Sequence, residues 1–526
     1  MKRTSFLFII CVLALALISS GSAGPQKKST VAAKAVVVKA PDDPGKPTTL
    51  PSGWSTPENV SNNSAYSEGP YAALDAKGNV YISWVDWYGS VGGGREMMFN
   101  TNKPGQWNAV RSNQLIYTAI DDSGFPQVAV TKDGNNAIYA WMDGDFSAGH
   151  MSVFGEELVN STWSGAGVIT TQVPGPATYP TIAASPVDNT ICFVWQQDVS
   201  NGFNLAYQYR DGASGRMSSP GLMTTGQVLQ YLPNIFVDAT GTIHCAYIVR
   251  VGEAAIWYTK NANPKSLTGW TTPIALSGGT GLDWSYPMVA AAADGDAYVV
   301  WQEDHNGNEE IYLRYQVNGV WQSTITLSQT AAPSEHPSIA VNPVSKEVFV
   351  SWAELTGSGL GNIYIKTYEL NKATGNLAWS DNIQVTSSGR ALKSAIRVTK
   401  DGDIHLIYAN DSEIWHTQKL APRLTAIQPP TVEAKINRVL FSSEKTLTIN
   451  FAKNPENDDA TLLEYRLYYK KAEDPDTAYT ILSTFAPTDA LEYVMKKLPV
   501  SQKYNFLASV VNKDGLELKT TSVVSD

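Results

Sequence analysis

Between residues 70 and 408 the chain repeats one pattern of apolar and polar positions seven times: a proline-led apolar stretch, a Gly turn, then a short run ending on an aromatic. The closing aromatics are Trp84, Trp141, Trp195, Tyr247, Trp301, Trp352 and Tyr408, spaced by 57, 54, 52, 54, 51 and 56 residues. The leading residue stands 13 to 15 positions upstream of each, as Pro70, Pro126, Pro180, Pro233, Pro287, Pro337 and, in the seventh copy, Ala395. A period this long marks an array of supersecondary units.

Within a unit the pattern predicts strands only. Gly295 to Trp301 and Gly78 to Trp84 are β-branched and aromatic runs entered from an Asp/Gly or Gly/Asn turn, the pattern of a buried strand. About twelve residues on comes a third strand, as in Glu310 to Tyr315, Asn362 to Lys366 or Ala255 to Tyr258. A fourth opens on Trp107, Trp163, Trp270, Trp321 or Trp379, with Met217 standing in once. Four short strands in roughly fifty residues predict a propeller blade.

The seventh unit reaches its third strand at Ile414 to His416 and has no tryptophan-led fourth before Pro422. Gly53-Trp54-Ser55-Thr56-Pro57 precedes the first unit and matches Gly269-Trp270-Thr271-Thr272-Pro273. The N-terminal segment is therefore expected to supply the outer strand of the last blade and close the ring. The predicted fold is all-β, a seven-bladed β-propeller over 51–421 followed by a β-sandwich over 422–526. In that second domain Thr446 to Phe451 and Glu464 to Tyr469 alternate as sandwich strands do.

Residues 1–23 read as a secretory signal: Lys2 and Arg3, an apolar run from Phe6 to Ile18, then Gly21-Ser22-Ala23. Residues 24–50 are Lys, Ala, Val, Pro and Thr without period, a disordered linker. These segments predict a secreted or cell-surface/periplasmic protein with no membrane span after signal removal. The formal charge of −10, or −12 once Lys2 and Arg3 leave, argues against nucleic acid as a partner. The 10% aromatic content supplies each blade with large anchors. Cys192 and Cys245 lie in the aromatic-ending strands of adjacent units, where sheets about 10 Å apart leave them too distant to bridge.

Two resemblances extend this reading. Leu498-Pro499, then Tyr504 to Asn512 and Gly515, resembles a fibronectin type III module, with Tyr504 standing where that family has its corner tyrosine and Phe451 where it usually has tryptophan. The resemblance implies a spacer or docking unit. The repeated units resemble the sialidase-type and lectin-type propellers, which implies a fold and no activity by itself. The Ser-x-Asp-x-Gly-x-x-Trp box of that superfamily is intact nowhere, and neither its Phe-Arg-Ile-Pro start nor its arginine trio can be placed. Sialidase activity is therefore not expected.

Candidate chemistry lies where units depart from the repeat. Acids follow six of the seven aromatics, as Asp86, Asp143, Asp198, Glu303 with Asp304, Glu354 and Asp411, a recurrence that suits loop-start acceptors of backbone N–H groups. Units five and six add Asp283, Trp284 and Tyr286 before one proline, Glu303, Asp304 and His305 after the next aromatic, and Glu335 and His336 before the following proline. All are expected at the channel mouth, where carboxylates beside aromatic rings suit a glycan, and where a protein ligand is the other candidate. Tyr179 and Tyr231 are expected to extend an aromatic rim. The same groups could serve acid/base hydrolysis. No phosphate loop, nucleophile elbow or paired-Cys or HExxH metal motif occurs, so neither cofactor nor metal is expected. Three classes stay open: a monomeric glycan- or protein-binding module, a glycoside hydrolase or polysaccharide lyase, and a structural surface protein.

Overall fold

The computed structural model describes residues 53–525 apart from the segments 88–94, 104–106, 108–123, 146–149, 160–161, 165–166, 171–174, 200–201, 227, 278–284, 306, 358, 372–375, 422–426, 440–441, 456, 458–461 and 513–516. The signal, the linker, Asp283 and Trp284 lie outside the described residues. The chain divides into two compact units, one made of 1–369 with 379–420, the other of 370–378 with 421–526. Both are built from antiparallel strands, and among the described residues there is no α-helix.

The first unit contains seven meanders in chain order. Each opens on a first strand: Tyr66–Leu74, Gly124–Val130, Ala177–Ala184, Leu229–Val237, Met288–Ala291, Ser334–Val341 and Ala391–Val398. A second strand pairs antiparallel with it and carries the repeat aromatic, and a third pairs with the second. Short outer strands such as Gly221–Leu222 and Ile274–Ala275 finish several sheets. In the last meander the outer strand comes from the other end of the chain. Glu58–Asn59 pairs with Glu413–Lys419, Glu58 opposite His416 and Asn59 opposite Trp415, and Trp54 bridges to Lys419. The sixth and seventh sheets are also joined by one pair, Gly361 with Ala391. Each first strand packs on the first strand of the next sheet, and the seventh packs on the first, so the seven form a closed cycle.

The repeat aromatics explain why neighbouring sheets hold together. All seven, Trp84 through Tyr408, are fully buried. Each anchors a core between two consecutive sheets: Trp141 packs with Tyr81, Trp195 with Ala140, Tyr247 with Cys192 and Val194, Trp301 with Ile248, Trp352 with Val300, and Tyr408 with Ala353. Trp84 closes the series against Ala395 and Ile407 of the seventh sheet. A buried aromatic removes about 200 Å² from water, worth about 5 kcal/mol. Cys192 and Cys245 are free, buried thiols in one of these cores.

The second unit has two antiparallel sheets. Thr431–Val439, Ser442–Asn450 and Glu492–Pro499 form one, and Thr480–Phe485, Leu462–Lys471, Tyr504–Asn512, Glu517–Lys519 and Val523–Val524 the other. The alternation read from the sequence turns Leu447 and Ile449 of one sheet toward Leu467, Phe506, Ala508 and Val510 of the other. Phe451 lies edge-on to Phe485 in that core, ring centroids 5.5 Å apart.

Candidate functional site

The start of the repeat sits at a kink in most units. Six of the seven first strands shift register at this point, for example between Glu68 and Tyr71 or between Glu335 and Ser338. The residue before each proline is left-handed: Gly69 at φ 62°, Phe125 at 52°, Tyr179 at 50°, Leu232 at 50°, Tyr286 at 41° and His336 at 55°. For a non-glycine residue that conformation costs about 1–2 kcal/mol, and a following proline ordinarily pushes its neighbour to extended backbone. Five such residues at one repeated position are strain that the surrounding sheets must enforce, a pattern associated with functional sites. The bulge turns the pre-proline side chain out of the ladder.

The seventh unit needs a correction. In the proline-led units the residue following the proline pairs one position before the repeat aromatic, as Tyr71 with Ser83 and Met288 with Val300, and in the seventh that residue is Ala395, opposite Ile407, which leaves Ser394 opposite Tyr408. Lys393 thus occupies the pre-proline position of that unit. The column then reads Gly69, Phe125, Tyr179, Leu232, Tyr286, His336, Lys393, and all seven line one cavity of about 220 Å³. The seven following positions, Pro70 through Pro337 and Ser394, line it as well. The cavity therefore sits inside the cycle of first strands.

Its walls combine rings with polar groups. Phe125 and Tyr179 meet edge to face, centroids 4.5 Å apart. Tyr286 and His336 are 5.2 Å apart, and Lys393 Nζ lies 5.7 Å from the Tyr286 ring. Gln127, Asn234, Ser338, Glu68 and Arg95 complete the polar lining. The Arg95 guanidinium lies 4.0 Å from the Trp87 ring centroid, and Trp87 Nε1 donates to Glu68 at 2.9 Å. Asn234 Oδ1 and Ser338 Oγ accept the backbone N–H groups of Val289 and Ile396, which ties first strands to their neighbours around the cavity.

Of the residues singled out by sequence, the structure brings Tyr286 and His336 into the cavity wall, with Glu335 beside them. Glu335 Oε2 is 3.6 Å from His336 Nε2. Burial, reinforced by Glu309, pushes the Glu335 carboxyl up to about 7. Burial, with Lys393 adding repulsion, holds the His336 imidazole well below its ordinary value, so it is neutral at physiological pH. His336 donates its backbone N–H to Gln302 Oε1 at 2.7 Å.

Glu303, Asp304 and His305 are placed elsewhere. Glu303 is buried and accepts the Trp301 indole N–H at 2.8 Å. Asp304 accepts Gly307 N–H, and His305 pairs with Asn308 at the strand end. Asp86 takes the Trp84 indole N–H at 2.7 Å in the same way. In unit three Gln197 does so for Trp195 at 2.9 Å, one residue before the acid Asp198. Asp86 and Glu303 thus serve a buried indole, whereas Asp304 takes a backbone N–H as the recurrence suggested.

Tyr179 lines the cavity, whereas in unit four Leu232 holds that position and Tyr231 is buried in the adjoining core. The sequence reading missed Gly69, Phe125, Leu232, Lys393 and Arg95. The first three were legible as the column preceding each proline. Among the described residues no three His, Cys, Asp or Glu side chains gather as a metal site.

No family model matches the chain. The solved structures similar to it include an intramolecular trans-sialidase from Ruminococcus gnavus, 12% identical over 69% of this chain and 97% of that one, TM-score 0.42. The polysaccharide lyase Uly1 is 13% identical over 67% of this chain and 89% of its own, TM-score 0.44. A fungal alcohol oxidase in complex with copper covers 90% of this chain and 98% of its own at 11% identity, TM-score 0.44. Three unrelated chemistries at this distance assign none to the chain.

Proposed function

We propose that residues 51–421 form a seven-bladed β-propeller closed by its N-terminal strand, that 422–526 form a fibronectin type III-like spacer or docking module, and that the protein binds carbohydrate outside the cytoplasm. Seven meanders, a cycle of first strands and the pairing of Glu58–Asn59 with Glu413–Lys419 support the propeller. Two sheets of three and five strands around one core support the module. The observation that carries the function is the column of pre-proline residues, strained in five non-glycine copies and converging on one cavity. Tyr179 and Tyr286 line the cavity with rings of the kind that sugar C–H surfaces rest on, and Gln127 adds an amide of the kind that bonds sugar hydroxyls. A glycan array probed with the mature chain and with Tyr286→Ala tests it. The expected result is a set of signals that Tyr286→Ala loses while its thermal midpoint is kept. An array blank for both chains, or identical for both, refutes it.

One observation favours a second reading, glycoside hydrolysis or polysaccharide lysis. A carboxyl near 7 beside a neutral imidazole is the protonation state a general acid and base require. Glu335→Gln separates the two: a binding module keeps most of its affinity, and an enzyme using that carboxyl loses turnover by about 10²-fold or more.

A further inference from the structure

Further along the first strands a second position repeats. Ala73, Ala129, Ala183, Ala290 and Ala340 stand there, with Phe236 in unit four, each paired with the residue three before its repeat aromatic. The seventh unit places Arg397 at this level, opposite His405. Arg397 Nε donates to Ala72 O at 2.6 Å and Nη1 to Ile396 O at 2.7 Å, and Cζ lies 4.8 Å from the Tyr71 ring centroid. These contacts tie the first strand of the seventh sheet to that of the first and use two of the five N–H donors of the guanidinium.

No counter-charge accompanies it. Among the described residues Nη2 bonds no partner and no carboxylate pairs with the guanidinium; Tyr71 alone supports the charge against burial. Burial and His416 hold the His405 imidazole down to about 3, so the residue opposite is neutral. The carboxylates of the cavity wall, Glu68 and Glu335, stand before the prolines instead, one accepting the Trp87 indole and the other beside His336. Arginine stays charged at physiological pH, and a buried charge left unpaired is costly. Arg397, Ala73, Ala183 and Phe236 each keep some accessible surface, so solvent reaches this level.

We propose that Arg397 Nη2 binds a small monovalent inorganic anion, of the chloride class, where the first strands of the seventh and first sheets meet. A single guanidinium among alanine and phenylalanine suits an ion that needs few donors, whereas a phosphate brings three strong acceptor oxygens to satisfy. The anion supplies the missing counter-charge and strengthens the hold between the two strands. This site is separate from the carbohydrate reading and stands or falls without it.

The test is chlorine-35 NMR on the full mature chain. In the wild type, exchange with the site is expected to broaden the chloride line, and bromide is expected to narrow it again by competition. Arg397→Gln is expected to lose this bromide-sensitive broadening. In calorimetry at constant ionic strength, chloride in place of fluoride, at about ten times its Kd, should raise the wild-type midpoint by about 2 °C and leave that of Arg397→Gln unchanged. Broadening that is equal in both chains or absent from both, or an equal chloride gain in both, overturns the assignment. If Arg397→Gln fails to fold, wild-type crystals grown in bromide decide. An anomalous peak against Arg397 Nη2 supports the site, and peaks only elsewhere, or none, overturn it.

Discussion

Val60→Asp probes the proposed closure of the propeller, where the N-terminal segment pairs with the seventh sheet. Val60 is 2% exposed and packs with Val80, Ile82, Trp84 and Ile414, so it joins the N-terminal segment to both the first and the seventh sheet. Its N–H donates to Ile414 O at 2.7 Å, and its carbonyl accepts from Asn100 Nδ2 at 3.1 Å. Losing the valine's transfer energy costs about 2 kcal/mol, and burying a carboxyl without a designed partner costs about 2 kcal/mol more even when it is protonated. At roughly 2.1 cal/mol/K per residue over about 370 residues, 4 kcal/mol lowers the thermal midpoint by about 5 °C. Thr56→Asp, on an exposed position of the same segment, is the control and should shift it by about 1 °C or less. Calorimetry at pH 5 and pH 8 should show the larger loss at pH 8, where the buried Asp must ionise or detach the strand. Likewise a chain starting at Ser61 should melt below one starting at Thr48. Equal midpoints for Val60→Asp and Thr56→Asp would refute the proposed closure by this segment.

Glu303→Ala leaves the buried Trp301 indole without its acceptor and should cost about 1–3 kcal/mol in denaturant unfolding. Glu303→Gln keeps an acceptor and should stay near wild type, and neither should alter ligand affinity selectively. Glu335 has a folded value near 7 against an ordinary 4.5, so its ionisation opposes folding: the wild type is most favoured below about 4.5 and loses stability as pH rises through 7. Glu335→Gln should flatten that slope, gaining up to about 3 kcal/mol relative to wild type by pH 8; parallel pH profiles would refute the shift. Residues 423–526 alone should give a dispersed amide spectrum and one cooperative transition, since their two sheets share one core.

The strands were legible because their signal is local: β-branched runs between Gly turns, each closing on an aromatic too large to leave exposed. Trp84 through Tyr408 appear in the sequence as a period and in the structure as the anchors between sheets. The site was legible only in part. Tyr286 and His336 were found as departures from the repeat, but Glu303 was drawn in by its charge, and nothing local shows that Trp301 consumes it. Phe125 and Leu232 look like ordinary strand residues. What turns them into the cavity is a left-handed φ before proline, a conformation that local preference argues against and only the assembled ring enforces. Lys393 was hidden for another reason: the seventh unit lacks its proline, and only pairing with Tyr408 sets the register.

A crystal structure of the mature chain soaked with a glycan selected from the array tests the central claim most directly. The account predicts density for the sugar inside the cycle of first strands, in the cavity lined by Tyr179, Tyr286 and Gln127. Density on the outer strands of the sheets or on the C-terminal unit, with the cavity holding only water, would contradict it.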